Sequence, residues 1–205
     1  MKTGKVFLSA VLAGMSIGLG GVVFLSVENK VIGAALFSVG LFMVCTFGLH
    51  LFTGKVCYAA ENDKKFALQL PVIWLGNLAG TGLTALFVSL TRNGGIAQKA
   101  AALWQIKLSD SLLSLFFLGV VCNICIYVAV ESYRSNPHEL GKYLAILLGV
   151  MVFILAGTEH CVADMFYLWM GGTWSGAAVL RLVVITLGNA AGGLLFPVLR
   201  GIIKK

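Results

Sequence analysis

Ala156-Gly157-Thr158-Glu159-His160-Cys161-Val162-Ala163-Asp164-Met165-Phe166 sets two acids and a histidine inside a run that is otherwise apolar. Ionisable groups are costly in hydrocarbon, so an intramembrane Glu-His pair marks a functional site. The glycine and the polar residues that follow it also break the helix. Working outward, a second interruption of this kind appears at Gly48-Leu49-His50-Leu51-Phe52-Thr53-Gly54-Lys55. It aligns residue for residue with Gly157–Asp164.

The composition fixes the setting. Of the 205 residues 59% are hydrophobic and 11% charged, where a soluble domain carries about 25% charge. This is an all-α integral membrane protein. The net charge of +7 comes from Lys and Arg lying mostly between apolar runs. That suits anionic headgroups of membrane lipids, and no nucleic acid is needed as a partner. Cys122 and Cys125 form a CxxC without a second pair, so the five cysteines read as small packing residues. Lys2 and Lys5 precede the first run as in a signal peptide, but the run continues to Val27 and reads as a retained helix.

Runs long enough to span a bilayer, roughly 20 residues each, occur at about 5–27, 31–60, 66–91, 108–130, 143–170 and 177–203. The second and fifth are the interrupted ones. Gly76-Asn77-Leu78-Ala79-Gly80 in the third run recurs as Gly188-Asn189-Ala190-Ala191-Gly192 in the sixth, each a small-residue face for close helix contact. Six transmembrane helices thus fall into two three-helix repeats, about 1–92 and 107–205, in one channel domain covering 1–205. An odd number of spans per repeat inverts the second, which puts the two breaks face to face at the midplane. With the N-terminus inside, the cytoplasmic bases are Lys2, Lys5, Lys64, Lys65, Arg134, Lys142, Arg200, Lys204 and Lys205. The outer ones are Lys30, Arg92, Lys99, Lys107 and Arg181. The excess places both termini in the cytoplasm of a cell inner or plasma membrane.

Thr53 and Gly54 in mid-span can open the helix and offer amides and a hydroxyl to an anion. His160 is the side chain suited to exchanging protons near neutral pH. Glu159 either ties down loop amides or touches substrate. Lys107 is a snorkelling interfacial lysine or a cationic mouth that gathers anions. Asn123 either bonds across helices or faces a pore. Phe37, Leu41, Leu51, Phe52 and Phe153 surround the breaks and form apolar constrictions if they face the pore.

Taken together, Leu51-Phe52-Thr53-Gly54, Gly119-Val120-Val121-Cys122-Asn123, Gly157-Thr158-Glu159-His160, Ala163-Asp164-Met165-Phe166-Tyr167 and the two GNxxG segments resemble the formate/nitrite transporter family, in family order along essentially the whole chain. The resemblance implies an aquaporin-like subunit with its own pore, gathered as a homopentamer. It implies small monovalent anion substrates such as formate, nitrite or hydrosulfide. It places Lys107 at the vestibule lysine, Asn123 at the pore asparagine, and Thr53 and His160 at the central pair. Phe37, Leu41, Phe52 and Phe153 fall at the family's constriction positions. Three residues depart from the pattern: His50 replaces an acid, Lys55 an Asn or small polar residue, and Asp164 an Asn. Lys55 and Asp164 occupy equivalent places, so they are expected to pair across the pseudo-twofold axis. The termini are short, so an N-terminal gating helix is not expected.

The function that follows is a channel in which the anion gains a proton, from His160 or from water, and crosses the constriction as the neutral acid. A bare charge costs far more in hydrocarbon than a neutral acid does. No catalysis, cofactor or metal is expected. Two rival readings are a neutral-solute channel, which the lack of paired Asn-Pro-Ala motifs weakens, and a redox or metal enzyme built on His50, His160 and the cysteines, for which no ligand spacing is suitable.

Overall fold

A computed structural model of the chain describes residues 3–203. Lys2, Lys204 and Lys205, counted above among the cytoplasmic bases, lie outside the described residues. The apolar runs appear as helices: α1 (Thr3–Ser26), α2 (Lys30–Thr46), α3 (Phe52–Val56), α4 (Lys64–Ala67), α5 (Leu70–Ser89), α6 (Ala97–Ser109), α7 (Leu112–Ser135), α8 (Glu139–Leu155), α9 (Cys161–Gly171) and α10 (Gly176–Ile203). Thr3–Ser26, Lys64–Ser89, Leu112–Ser135 and Gly176–Ile203 are each long and apolar enough to cross a membrane. The second and fifth runs are helix pairs, α2 with α3 and α8 with α9, each interrupted by a short extended segment. Large apolar side chains such as Leu8, Phe87, Phe117 and Leu187 remain exposed along the long helices, the expected surface for a lipid solvent.

The two halves pack alike. α1 lies against α5 and α2, and α7 lies against α10 and α8. The glycines of the GNxxG segments explain the closeness of the long pairs. A Cβ on Gly80 would run into the Val11 carbonyl of α1, and one on Gly192 into the Val120 carbonyl of α7. Backbone meets backbone at both crossings, which only glycine permits.

Between the halves sits α6, a helix that the apolar runs did not announce. Ala100, Trp104 and Lys107 form its buried stripe, at the i, i+4, i+7 spacing of one helical face. It packs on α9. Its last carbonyls are held by Arg181 of α10, whose Nε and Nη2 donate to Lys107 O and Leu108 O at 2.8 Å. Asp110 and Ser111 then cap α7: Ser111 Oγ accepts from Ser114 N, and Asp110 Oδ2 accepts from Ser114 Oγ.

Candidate functional site

Both interruptions are built the same way. α2 and α8 each end in a glycine with positive φ, Gly48 at 63° and Gly157 at 68°. That left-handed turn carries almost no steric cost for glycine and lets the next amide bond back to a carbonyl of the last turn. Leu49 N donates to Val44 O at 2.9 Å and Thr158 N to Phe153 O at 3.1 Å.

An asparagine from a long helix then secures each extended segment. Asn77 of α5 accepts from Phe52 N at 2.8 Å and donates to Ala10 O at 2.8 Å and His50 O at 3.0 Å. Asn189 of α10 accepts from Cys161 N and donates to Gly119 O and Glu159 O, all at 2.8 Å. Phe52 and Cys161 are the first residues of α3 and α9. Each asparagine therefore caps a half-helix from outside and satisfies a carbonyl of the break that hydrocarbon would leave unpaired.

In this register Leu51 corresponds to His160 and Thr53 to Val162, so each half supplies one polar residue where the other is apolar. These two polar residues meet. Thr53 Oγ1 lies 2.9 Å from His160 Nε2, and both side chains are buried. His160 Nδ1 accepts the Ala163 amide at 3.1 Å, capping α9. An acceptor nitrogen carries no proton, so the single ring proton of the neutral imidazole is on Nε2 and is donated to Thr53 Oγ1. The threonine hydroxyl is left with its own hydrogen to donate. Phe153 stacks on the imidazole at 5.6 Å with 19° between the planes. Asn123 of α7 bonds across helices, its Nδ2 donating to Thr53 O at 3.1 Å.

Two cavities flank this pair. One, of about 230 Å³, is lined by Phe37, Lys107, Phe153, Glu159, His160 and Tyr167, among others. The other, of about 490 Å³, is lined by Val44, Leu51, Gly54, Lys55, Tyr58 and Arg134, among others. Phe37 and Val44 thus mark opposite sides of a plug along α2, about 10 Å apart. Leu41, 1% exposed, lies between them. Phe37 and Phe153 meet edge to face at 6.2 Å. Phe52 does not belong to the plug: it lines an apolar groove with Trp74 and Val183.

Lys107 is neither a snorkelling lysine nor a free cationic mouth. Its side chain is 9% exposed and its Nζ lies 2.5 Å from Glu159 Oε2 and 3.2 Å from Asp164 Oδ1. The expected Lys55–Asp164 pair is therefore not formed, and the Glu159 carboxylate holds Lys107 rather than loop amides. Asp164 lies in the first turn of α9, facing α6, and Trp104 Nε1 donates to its carbonyl at 3.1 Å. Lys55 is paired with no carboxylate among the described residues and borders the larger cavity. His50 faces α1, its Nδ1 2.8 Å from Ser9 Oγ. Sequence reasoning missed Trp104, Tyr167 and Ser9; only the α6 stripe carried a readable signal.

Interrupted helices meeting at a polar pair, with a cavity on each side of an apolar plug, define a membrane channel or transporter. A family model described as formate/nitrite transporter matches residues 1–201, and the chain belongs to that family of multi-pass membrane proteins. It is 30% identical to the uncharacterized transporter YrhG of Bacillus subtilis, over 82% of this chain and 69% of that one. It is 27% identical to the formate channel FocA of Haemophilus influenzae, over 91% of this chain and 82% of that one. A solved pentameric formate channel with formate bound superposes with a TM-score of 0.81 at 26% identity, covering 98% of this chain and 96% of that one. These relatives are channels and transporters rather than enzymes, and the neutral-solute reading finds no support among them.

Proposed function

We propose that the protein is a channel for small monovalent weak-acid anions, with formate, nitrite and hydrosulfide as the candidate substrates, acting as a homopentamer in the inner or plasma membrane with both termini cytoplasmic. In this reading α2–α3 and α8–α9 complete six spans in two inverted repeats, and each subunit carries one pore along the line of the two cavities. The observation that carries the reading is the buried Thr53–His160 pair beside the plug of Phe37, Leu41, Leu51 and Phe153.

The geometry favours water over His160 as the proton source. His160 holds one ring proton and spends it on Thr53, while Nδ1 is occupied by the Ala163 amide. Protonating Nδ1 would break that cap and set two N–H groups against each other. Thr53 is the group with a hydrogen to offer, so it steadies the substrate as the anion takes a proton from water in the cavity. The neutral acid then crosses the plug, and the charge re-forms beyond it. Lys107, closed off by two carboxylates, shapes the smaller cavity rather than holding the anion.

The test is flux of formate, nitrite and hydrosulfide into liposomes bearing the purified protein, across a pH series. Flux should rise as pH falls, because the neutral acid becomes more abundant; flux indifferent to pH for every anion would overturn the weak-acid mechanism. Thr53→Val removes the donor and should slow flux about tenfold, the rate equivalent of one hydrogen bond. His160→Asn should slow flux yet keep its pH dependence. Its loss would return the donor role to His160.

A further inference from the structure

We propose that Lys55 holds a small monovalent anion in the larger cavity, making that side of the plug the one where substrate is loaded. This rests on the channel reading and adds a binding station to it. Lys55 stands two residues beyond Thr53 on α3, half-buried, and borders a cavity of about 490 Å³.

Its charge is uncompensated by any described neighbour. Among the described residues no carboxylate lies within ion-pair distance of Lys55. Glu131 is a partly buried acid that bonds to Tyr58 of the same cavity, and it is already occupied. Tyr58 Oη donates to it at 2.9 Å, Arg200 pairs with it at 3.5 Å and Arg134 at 4.0 Å. Glu61 is exposed at the cavity rim and forms no ion pair among the described residues.

A second cation shares the space. Arg134 also lines the cavity, its guanidinium 4.3 Å above the Tyr58 ring. Two like charges bordering one partly desolvated cavity repel, and an anion between them removes the repulsion and gains a charge-assisted hydrogen bond. The opposite cavity presents the reverse case: Lys107 is taken by both Glu159 and Asp164 and has no comparable attraction left. The asymmetry is written in the sequence by the two charged residues at equivalent register positions, Lys55 in one half and Asp164 in the other.

The experiment measures initial anion flux against concentration in each direction, in proteoliposomes whose protein orientation has been fixed by labelling. Lys55→Gln should raise KM for entry from the Lys55 side roughly tenfold, the loss of one charge-assisted contact. The KM from the opposite side should stay near wild type, the maximal rate from the Lys55 side should rise with its KM so that their ratio stays equal in the two directions, as passive flux requires, and Lys55→Arg should restore the KM. A packing role would not give this one-sided shift. Equal KM in Lys55→Gln and wild type from both sides would overturn the proposal. A second readout needs no variant and no conduction: acylation of Lys55 by an amine-reactive reagent in the purified wild type should slow as nitrite is added. Labelling indifferent to nitrite would also overturn it. Protection by nitrite in a protein that conducts no anion would uphold the site while refuting the channel reading.

Discussion

Lys107→Met should yield little folded protein. The ammonium is the counter-charge of two buried carboxylates, Glu159 and Asp164, 6% and 2% exposed. Removing one partner from a buried ion pair costs about 3–5 kcal/mol, because the remaining charge stays desolvated. Here two carboxylates are left behind at once, against a total stability of about 5–15 kcal/mol. Lys107→Met combined with Glu159→Gln and Asp164→Asn should recover folding, since every charge is then gone. Asp164→Asn alone should be tolerated, as Lys107 keeps Glu159. Gel filtration and thermal unfolding in detergent read all three. A Lys107→Met protein that elutes and melts like wild type would show that the cluster does not hold the fold.

The second large effect is expected at Asn77 and Asn189. Each joins an extended break to a long helix and to the neighbouring backbone through three hydrogen bonds. Leucine fills a similar volume but leaves one amide and one carbonyl of the break buried without partners, the helical Ala10 and Gly119 carbonyls keeping the amides of their own helices. At about 1–3 kcal/mol for each orphaned group, either Asn→Leu variant should lose about 2 kcal/mol or more. Aspartate keeps the acceptor for the Phe52 or Cys161 amide but not the two donors, so it should rescue little. The midpoint of thermal unfolding decides; a drop no larger than that of an exposed Asn→Leu control would refute the clamp.

These asparagines also show where the sequence stops being legible. The GNxxG repeats are readable as close-packing faces, and the glycines do meet backbone across α1–α5 and α7–α10. The asparagine between them points to partners 25 to 70 residues away in the chain, and no local pattern names such partners. The apolar runs and the two glycine-led interruptions were readable because helix periodicity and left-handed turns are local properties. The Lys55–Asp164 expectation failed for a physical reason. Equivalent positions in two repeats need not face each other, and Asp164 turns toward α6. That helix falls between the third and fourth apolar runs, although Ala100, Trp104 and Lys107 mark its buried face. Once α6 is in place, Lys107 reaches both acids of the second break, and Lys55 is left to the larger cavity.

The matched asparagine clamps restrict how such a pore can open. Withdrawing either extended segment from the pathway would sever two buried hydrogen bonds at once, with no water to replace them. Turning Phe37 or Phe153 about χ1 severs none, since these rings are held only by packing at 6.2 Å. The backbone frame then works as a fixed collar, and permeation becomes a matter of ring rotamers. Opening is thereby moved from the microsecond-to-second range of backbone rearrangement toward the faster range of side-chain motion.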